Sequence, residues 1–209
     1  MTAPAGRLIA IEGGEGAGKS TQASALAAAL GAELTREPGG TALGEQVRRL
    51  LLDPRSGQIG DRTELLLMLA ARAEHLVRRI EPALARGLDV VVDRFSGSTL
   101  AYQGYGRGLP VEEVRLLCGL AAGERWPDLN VLIDVPVPLG AARRRQRPGL
   151  DRIEAADSSF HERVRNGYLA EAARDPGHWL VVDGSGPVGE VTRAVLEGVQ
   201  HRLGPHVAG

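Results

Sequence analysis

The chain has one cysteine, Cys118, in 209 residues. No intramolecular disulfide can form, which suits a reducing compartment. Cys118 sits in the apolar stretch 114–120, where a small core residue is the expected role. Aromatics are nearly as scarce, with 2 Phe, 2 Trp and 3 Tyr, so the core must be built from Leu, Val, Ile and Ala. No apolar run approaches the length of a membrane span. Residues 1–6 are too short and too polar to act as a signal segment. Charge of one sign is absent too: 25 Lys and Arg face 26 Asp and Glu. That balance argues against a dedicated binder of nucleic acid or of a membrane surface. Internal repeats, long linkers and an Asn-Lys-x-Asp string are missing, and the last absence counts against a guanine-nucleotide switch. A cytoplasmic protein with neither nucleic-acid nor membrane partners is the expectation.

What is present begins at Gly13-Gly14-Glu15-Gly16-Ala17-Gly18-Lys19-Ser20, followed by Thr21. This is a complete GxxxxGK[ST] loop. Leu8–Ile11 before it reads as a buried strand, and Thr21–Leu30 after it reads as a helix. Strand, glycine loop and helix together give the pattern its physical meaning. Glycines let the backbone N–H groups turn inward on phosphate oxygens, and the helix N-terminus favours the same negative charge. Lys19 can reach the outer phosphates, while the Ser20 hydroxyl can ligate Mg²⁺.

Further apolar runs at Leu88–Val92, Val131–Ile133 and Leu180–Val182, with a weaker one at Ala32–Thr35, alternate with helical patterns. The alternation predicts one α/β unit over 1–209, with a parallel sheet and helices on both faces. Asp61-Arg62-Thr63-Glu64 predicts the start of a long helix reaching about residue 86, with Glu64 in the capping-box position. Pro110 predicts the first turn of another. Further helices are expected from about Pro138, over Ser158–Ala173 and over Val188–Leu203, with residues 204–209 as a frayed tail.

Ligands in such sheets sit beyond the carboxyl ends of the strands, which draws attention to the residues ending each run. Asp93, after Val90-Val91-Val92, stands where a magnesium-orienting carboxylate belongs in a phosphate-loop protein. Arg94 beside it offers a planar fork for a phosphate. Five arginines fall within 143–152, in a segment broken by Pro148-Gly149. Such a run is usually a solvated face, but phosphoryl transfer calls for arginine near the transferred group and positions 14–17 supply none. A hinged arginine lid over about 143–154 answers that demand. A second set, Arg36, Glu37, Pro38, Arg48, Arg72, Tyr102 and Gln103, could serve another phosphate-bearing substrate.

In chain order, IEGGEGAGKSTQ, TREPGGT, LMLAARAEH, VVVDRF, LAYQGYGRG, WPDLNVLIDVPV, GLDRIE and VVDG make the chain resemble bacterial thymidylate kinases over nearly its full length. The resemblance implies the nucleoside-monophosphate kinase fold, a five-stranded parallel sheet of order 2-3-1-4-5. It implies transfer of the ATP γ-phosphate to dTMP with Mg²⁺, and a homodimer. By position, Gly13 to Thr21 would hold ATP, with Ser20 and Asp93 at the metal. Glu15 matches a carboxylate near the dTMP 3′-hydroxyl. Arg36, Glu37 and Pro38 match a motif lining the acceptor pocket. Arg48 and Arg94 match positions near its phosphate, and Arg72 matches the residue that hydrogen-bonds thymine. Ser98, Thr99, Tyr102 and Gln103 match the wall beside base and sugar, with Tyr102 placed to disfavour a ribose 2′-hydroxyl. The transition-state arginine would come from the lid, with Arg147 first, then Arg143, Arg145 and Arg152. Lys19, Arg94, Asp93, Arg147 and Arg143 make up the expected catalytic set. One departure stands out: Met68 occupies a position where the family usually stacks a phenylalanine on the base. A thioether against a ring gives roughly 0.3–1.5 kcal/mol with less rigidity, so weaker base discrimination is expected. The rival readings are a kinase for another nucleotide and a non-catalytic nucleotide-binding module.

Overall fold

The computed structural model describes residues 6–204 apart from 124, 147, 148 and 150. Five parallel strands form one sheet of order β2-β3-β1-β4-β5. They are β1 (Leu8–Glu12), β2 (Glu33–Arg36), β3 (Val90–Asp93), β4 (Leu129–Asp134) and β5 (Trp179–Asp183). The predicted order is the one observed, and each strand coincides with a predicted run to within two residues at either end. β3 begins later than predicted because the Leu88 N–H is taken by the Ala83 carbonyl of the preceding helix.

Both faces of the sheet are covered, which is why its strands read as continuous apolar runs. Ile9, Ile11, Val91, Val131 and Ile133 face α1 (Lys19–Leu30) and α9 (Val188–Leu203). Leu8, Ala10, Val90 and Val92 point the other way. They pack on a π-helical stretch (Leu76–Ile80) and α4 (Glu81–Ala85), which continue the rod begun by α3 (Asp61–His75). Beside it stand α2 (Ala42–Leu52) and α6 (Val111–Ala122). A third apolar cluster joins Leu132 to Tyr102, Phe160, Val164 and Tyr168. It seats α8 (Ser158–Arg174) against α5 (Ser96–Thr99) and the π-helical stretch Leu100–Gly106 that continues α5. Three of the few aromatics meet edge to face there, Tyr102 with Phe160 and with Tyr168.

Two expected details at helix starts need correction. α3 begins at Asp61 as predicted, but its N-cap is Gly60 and no side chain caps it. The Glu64 carboxylate turns inward instead and accepts from Gln103 and Arg107 at 2.9 and 3.1 Å, and from Arg152. Two arginines and an amide outbid one backbone N–H for a buried carboxylate. Pro110 precedes α6 as its N-cap rather than entering the first turn.

Candidate active site

The phosphate loop closes between β1 and α1 with Gly16 and Gly18 in the left-handed region, at φ 70° and 88°. Gly18 caps α1 with no side-chain bond, so the first N–H groups of the helix are open to an anion. Space dictates glycine as well. A Cβ on Gly16 would lie 2.1 Å from the Gly140 carbonyl oxygen. Gly140 belongs to α7 (Val137–Arg144), the helix leading into the arginine segment, which is thereby seated on the phosphate loop. Lys19 Nζ donates to the Gly14 carbonyl at 2.7 Å. Burial, together with the Arg94 guanidinium, lowers the Lys19 ammonium to about 8.

At the carboxyl end of β3 the sheet delivers Asp93 and, next to it, Arg94. Ser20 Oγ donates to Asp93 Oδ2 at 2.5 Å, which brings the two expected metal oxygens together. Among the described residues no group of three or more His, Cys, Asp or Glu could cage an ion. The Ser20 hydroxyl and the Asp93 carboxylate, side by side, are hard oxygen donors that could hold a divalent cation next to a bound phosphate. Arg94 is the one described non-glycine residue at positive φ, 72°, a conformation that costs of order 1–3 kcal/mol and is found most at functional sites. Its guanidinium donates to Glu15 Oε1 at 2.5 Å, to the Tyr102 hydroxyl at 3.0 Å and to the Gly13 carbonyl at 3.0 Å. Burial would raise the Glu15 carboxyl, but Arg94 and Lys19 outweigh it and hold the group down at about 2.

The second predicted set converges on the same cleft. A cavity of about 780 Å³ runs from Glu15–Gln22 to Arg36, Glu37, Pro38, Arg48, Met68, Arg72, Asp93, Arg94, Ser98, Thr99, Tyr102 and Gln103. Arg72, 2 % exposed, is fixed by Glu37 Oε2 at 2.8 Å and Thr99 Oγ1 at 2.9 Å. Its guanidinium lies over the Phe95 ring and touches Cys118 Sγ. Arg48 holds the Pro38 carbonyl at 3.0 Å, whereas Arg36 is paired with Glu45. Met68 lines the cavity among these groups.

The arginine segment divides its labour. Arg143 lines the cavity and donates to the Gly184 and Ser185 carbonyls at 2.8 and 3.0 Å. Arg145 is exposed. Arg144 grips Glu154 and the Gly149 carbonyl, and Arg152 is turned to the Leu51 carbonyl and Glu64. Arg147, first in the expected order, lies outside the described residues, as do Pro148 and the tail 205–209. Sequence reasoning missed two groups that shape the site. His75, fully buried, bridges Thr35 Oγ1 at 2.7 Å and Glu37 Oε1 at 3.0 Å. Tyr168 meets Arg94 at 3.2 Å from α8. A histidine on a buried helix face was the available signal for the first; nothing local marks the second.

A glycine cradle on one side of a cleft and, on the other, the buried Arg72 with the half-buried Arg48 and Arg94 define a phosphate-loop phosphotransferase of the nucleoside-monophosphate kinase type. The comparisons with known proteins narrow the class. A family model described as thymidylate kinase matches residues 11–195. A thymidylate kinase of Alcanivorax borkumensis is 49 % identical over 203 residues, covering 95 % of this chain and 94 % of that one. One of Thermomicrobium roseum is 51 % identical over 193 residues, covering 90 % and 91 %. The crystal structure of a thymidylate kinase from Ehrlichia chaffeensis matches with a TM-score of 0.78 and 34 % identity, over 94 % of this chain and 99 % of that one. The chain belongs to the thymidylate kinase family, enzymes of ATP-dependent phosphoryl transfer.

Proposed function

We propose that this chain transfers the γ-phosphate of ATP to dTMP, giving dTDP and ADP toward dTTP. The observation that carries the reading is one cavity joining an amide-lined phosphate cradle to a wall holding Arg48, Arg72 and Arg94. An acceptor phosphate oxygen is already a nucleophile, so no strong base is needed. The protein's task is to align two anions that repel and to neutralise the charge between them. In this reading Gly13 to Thr21 bind the ATP phosphates and Lys19 reaches the outer ones. Ser20 and Asp93 hold Mg²⁺, which when bound neutralises charge on the transferred group. Arg94 and Arg48 serve the acceptor phosphate. Arg72, with Thr99 and Gln103, serves the thymine edge, while Glu15, Ser98 and Tyr102 border the sugar. Arg36, Glu37, Pro38 and Met68 complete that wall. Arg143 braces the donor side, and Arg147 is assigned to the transferring phosphoryl group. Residues 1–209 form one kinase unit, with 143–154 as its lid.

The family's homodimer is part of the proposal. Leu66 on α3 and Leu116 and Leu120 on α6 are 59, 75 and 77 % exposed. α3 and α6 pack side by side, so these side chains offer an apolar face to a second copy; sedimentation at micromolar concentration should give twice the mass of the chain. A cytoplasmic location accords with the lone buried Cys118. No helix of the described residues is long and apolar enough to cross a membrane.

The test of the activity is substrate profiling of ADP release with dTMP, dUMP, AMP and CMP. Turnover with dTMP should exceed the others, and a preference for AMP or CMP would transfer the chain's activity to another nucleotide.

A further inference from the structure

Glu12 ends β1 and is fully buried, yet the reaction above gives it nothing to do, and it is not among the residues lining the cavity. Its carboxylate is nonetheless fully engaged. Oε1 accepts from the Phe95 backbone N–H at 3.0 Å. Oε2 accepts from Ser98 Oγ at 2.5 Å and from the Tyr168 hydroxyl at 3.3 Å. Each of these three donors is one step from Arg94. Phe95 is the next residue along the chain, and its N–H belongs to the peptide that Arg94 must present at positive φ. Ser98 Oγ and the Tyr168 hydroxyl both accept from Arg94 Nη1, at 3.3 and 3.2 Å. The fold clears space for this carboxylate: a Cβ on Gly97 would stand 2.8 Å from Glu12 Oε1.

We propose that Glu12 is a positioning residue for Arg94, fixing its left-handed backbone through Phe95 and aiming its guanidinium through Ser98 and Tyr168. The proposal rests on the reading that Arg94 meets the acceptor phosphate. A hydrogen-bonded carboxylate is a better acceptor than any neutral group of its size. Unlike an arginine–carboxylate pair, this arrangement leaves the fork of Arg94 clear to exchange Glu15 for a ligand.

The test compares full-length Glu12→Gln, Arg94→Lys and the double variant, with kcat and KM measured for dTMP and for ATP. Glu12→Gln should lower kcat/KM for dTMP about tenfold, as expected for a lost charged hydrogen bond, while KM for ATP stays unchanged. In the double variant the two losses should fall well short of multiplying. Equal losses toward both substrates, full multiplication, or a lowered Tm with untouched kinetic constants would overturn the proposal. Should Glu12→Gln not fold, Tyr168→Phe removes one relay, from a residue outside the cavity lining, and a smaller loss with the same split between substrates is expected of it. An Arg94→Lys enzyme with ordinary dTMP kinetics would remove the acceptor-phosphate reading and the proposal with it. A large Arg94→Lys effect beside a silent Glu12→Gln would sink the proposal alone.

Discussion

The two walls of the cleft are built from different materials. The phosphate cradle is one contiguous stretch, Gly13 to Ser20, that works through backbone N–H groups and glycine conformations. The opposite wall works through side chains from five places in the chain: Arg36–Pro38, Arg48, Met68–Arg72, Asp93–Arg94 and Ser98–Gln103. These are held by the buried Glu37–Arg72 ion pair, the half-buried Arg94–Glu15 ion pair and a hydrogen bond between His75 and Glu37. A backbone site carries its function with little of the fold's stability in its side chains. A side-chain site of this kind carries both at once.

Substitutions can break that contrast. Lys19→Ala should lower kcat by about 10³-fold or more while unfolding at nearly the wild-type temperature, since the one hydrogen bond Lys19 makes among the described residues is to a loop carbonyl. Equal losses of activity and stability would erase the difference between the walls. Arg72→Ala should cost both. It strands the buried Glu37 carboxylate, and breaking such a pair typically removes about 3–5 kcal/mol, readable by denaturant unfolding alongside lost dTMP turnover. An Arg72→Ala protein as stable as wild type would mean that the wall is not cross-braced through this pair.

Protonation sharpens the comparison. The Lys19 ammonium is lowered to about 8 by burial and by Arg94, and the ATP phosphates require it charged. Above about pH 8 the empty loop carries fewer protons than the loaded one, so affinity must fall as pH rises. ATP binding should weaken about tenfold by pH 9 and take up a proton. Calorimetry in buffers of different ionisation heat reads that uptake, and a pH-independent affinity would contradict it. The smallest effect belongs to the base platform. Met68→Phe should change the dTMP-to-dUMP turnover ratio by roughly two- to tenfold, the span of a sulfur–ring contact of 0.3–1.5 kcal/mol. An unchanged ratio would show that Met68 does not shape base selectivity.

The same contrast explains what could be read from the chain. The cradle was legible because each requirement is local: a strand, glycines where φ turns positive, Lys and Ser at the helix start. Sheet order came through resemblance, because order depends on packing between segments far apart; the arginines of the opposite wall could be gathered as a set from the residues, but their separate roles came through resemblance. Glu64 shows where local rules lose. Its spacing after Asp61 satisfies a capping box, yet Gln103, Arg107 and Arg152, from 39 to 88 residues away, claim the carboxylate. Tyr168 is illegible for the same reason, and Glu12, marked only as the residue that ends a strand run, shows nothing of its partners, which come from segments far along the chain. Of the lid arginines, the run itself marked a cluster but not its partition, with Arg152 bound to Glu64 and Arg143 facing Gly184.

The most direct test is ADP formation from magnesium ATP as dTMP is titrated. The rate should rise from a negligible background to saturation, with dTDP appearing in equal amount. ADP release that ignores dTMP, or that yields inorganic phosphate in place of dTDP, would contradict the claim that the two walls serve one phosphoryl transfer.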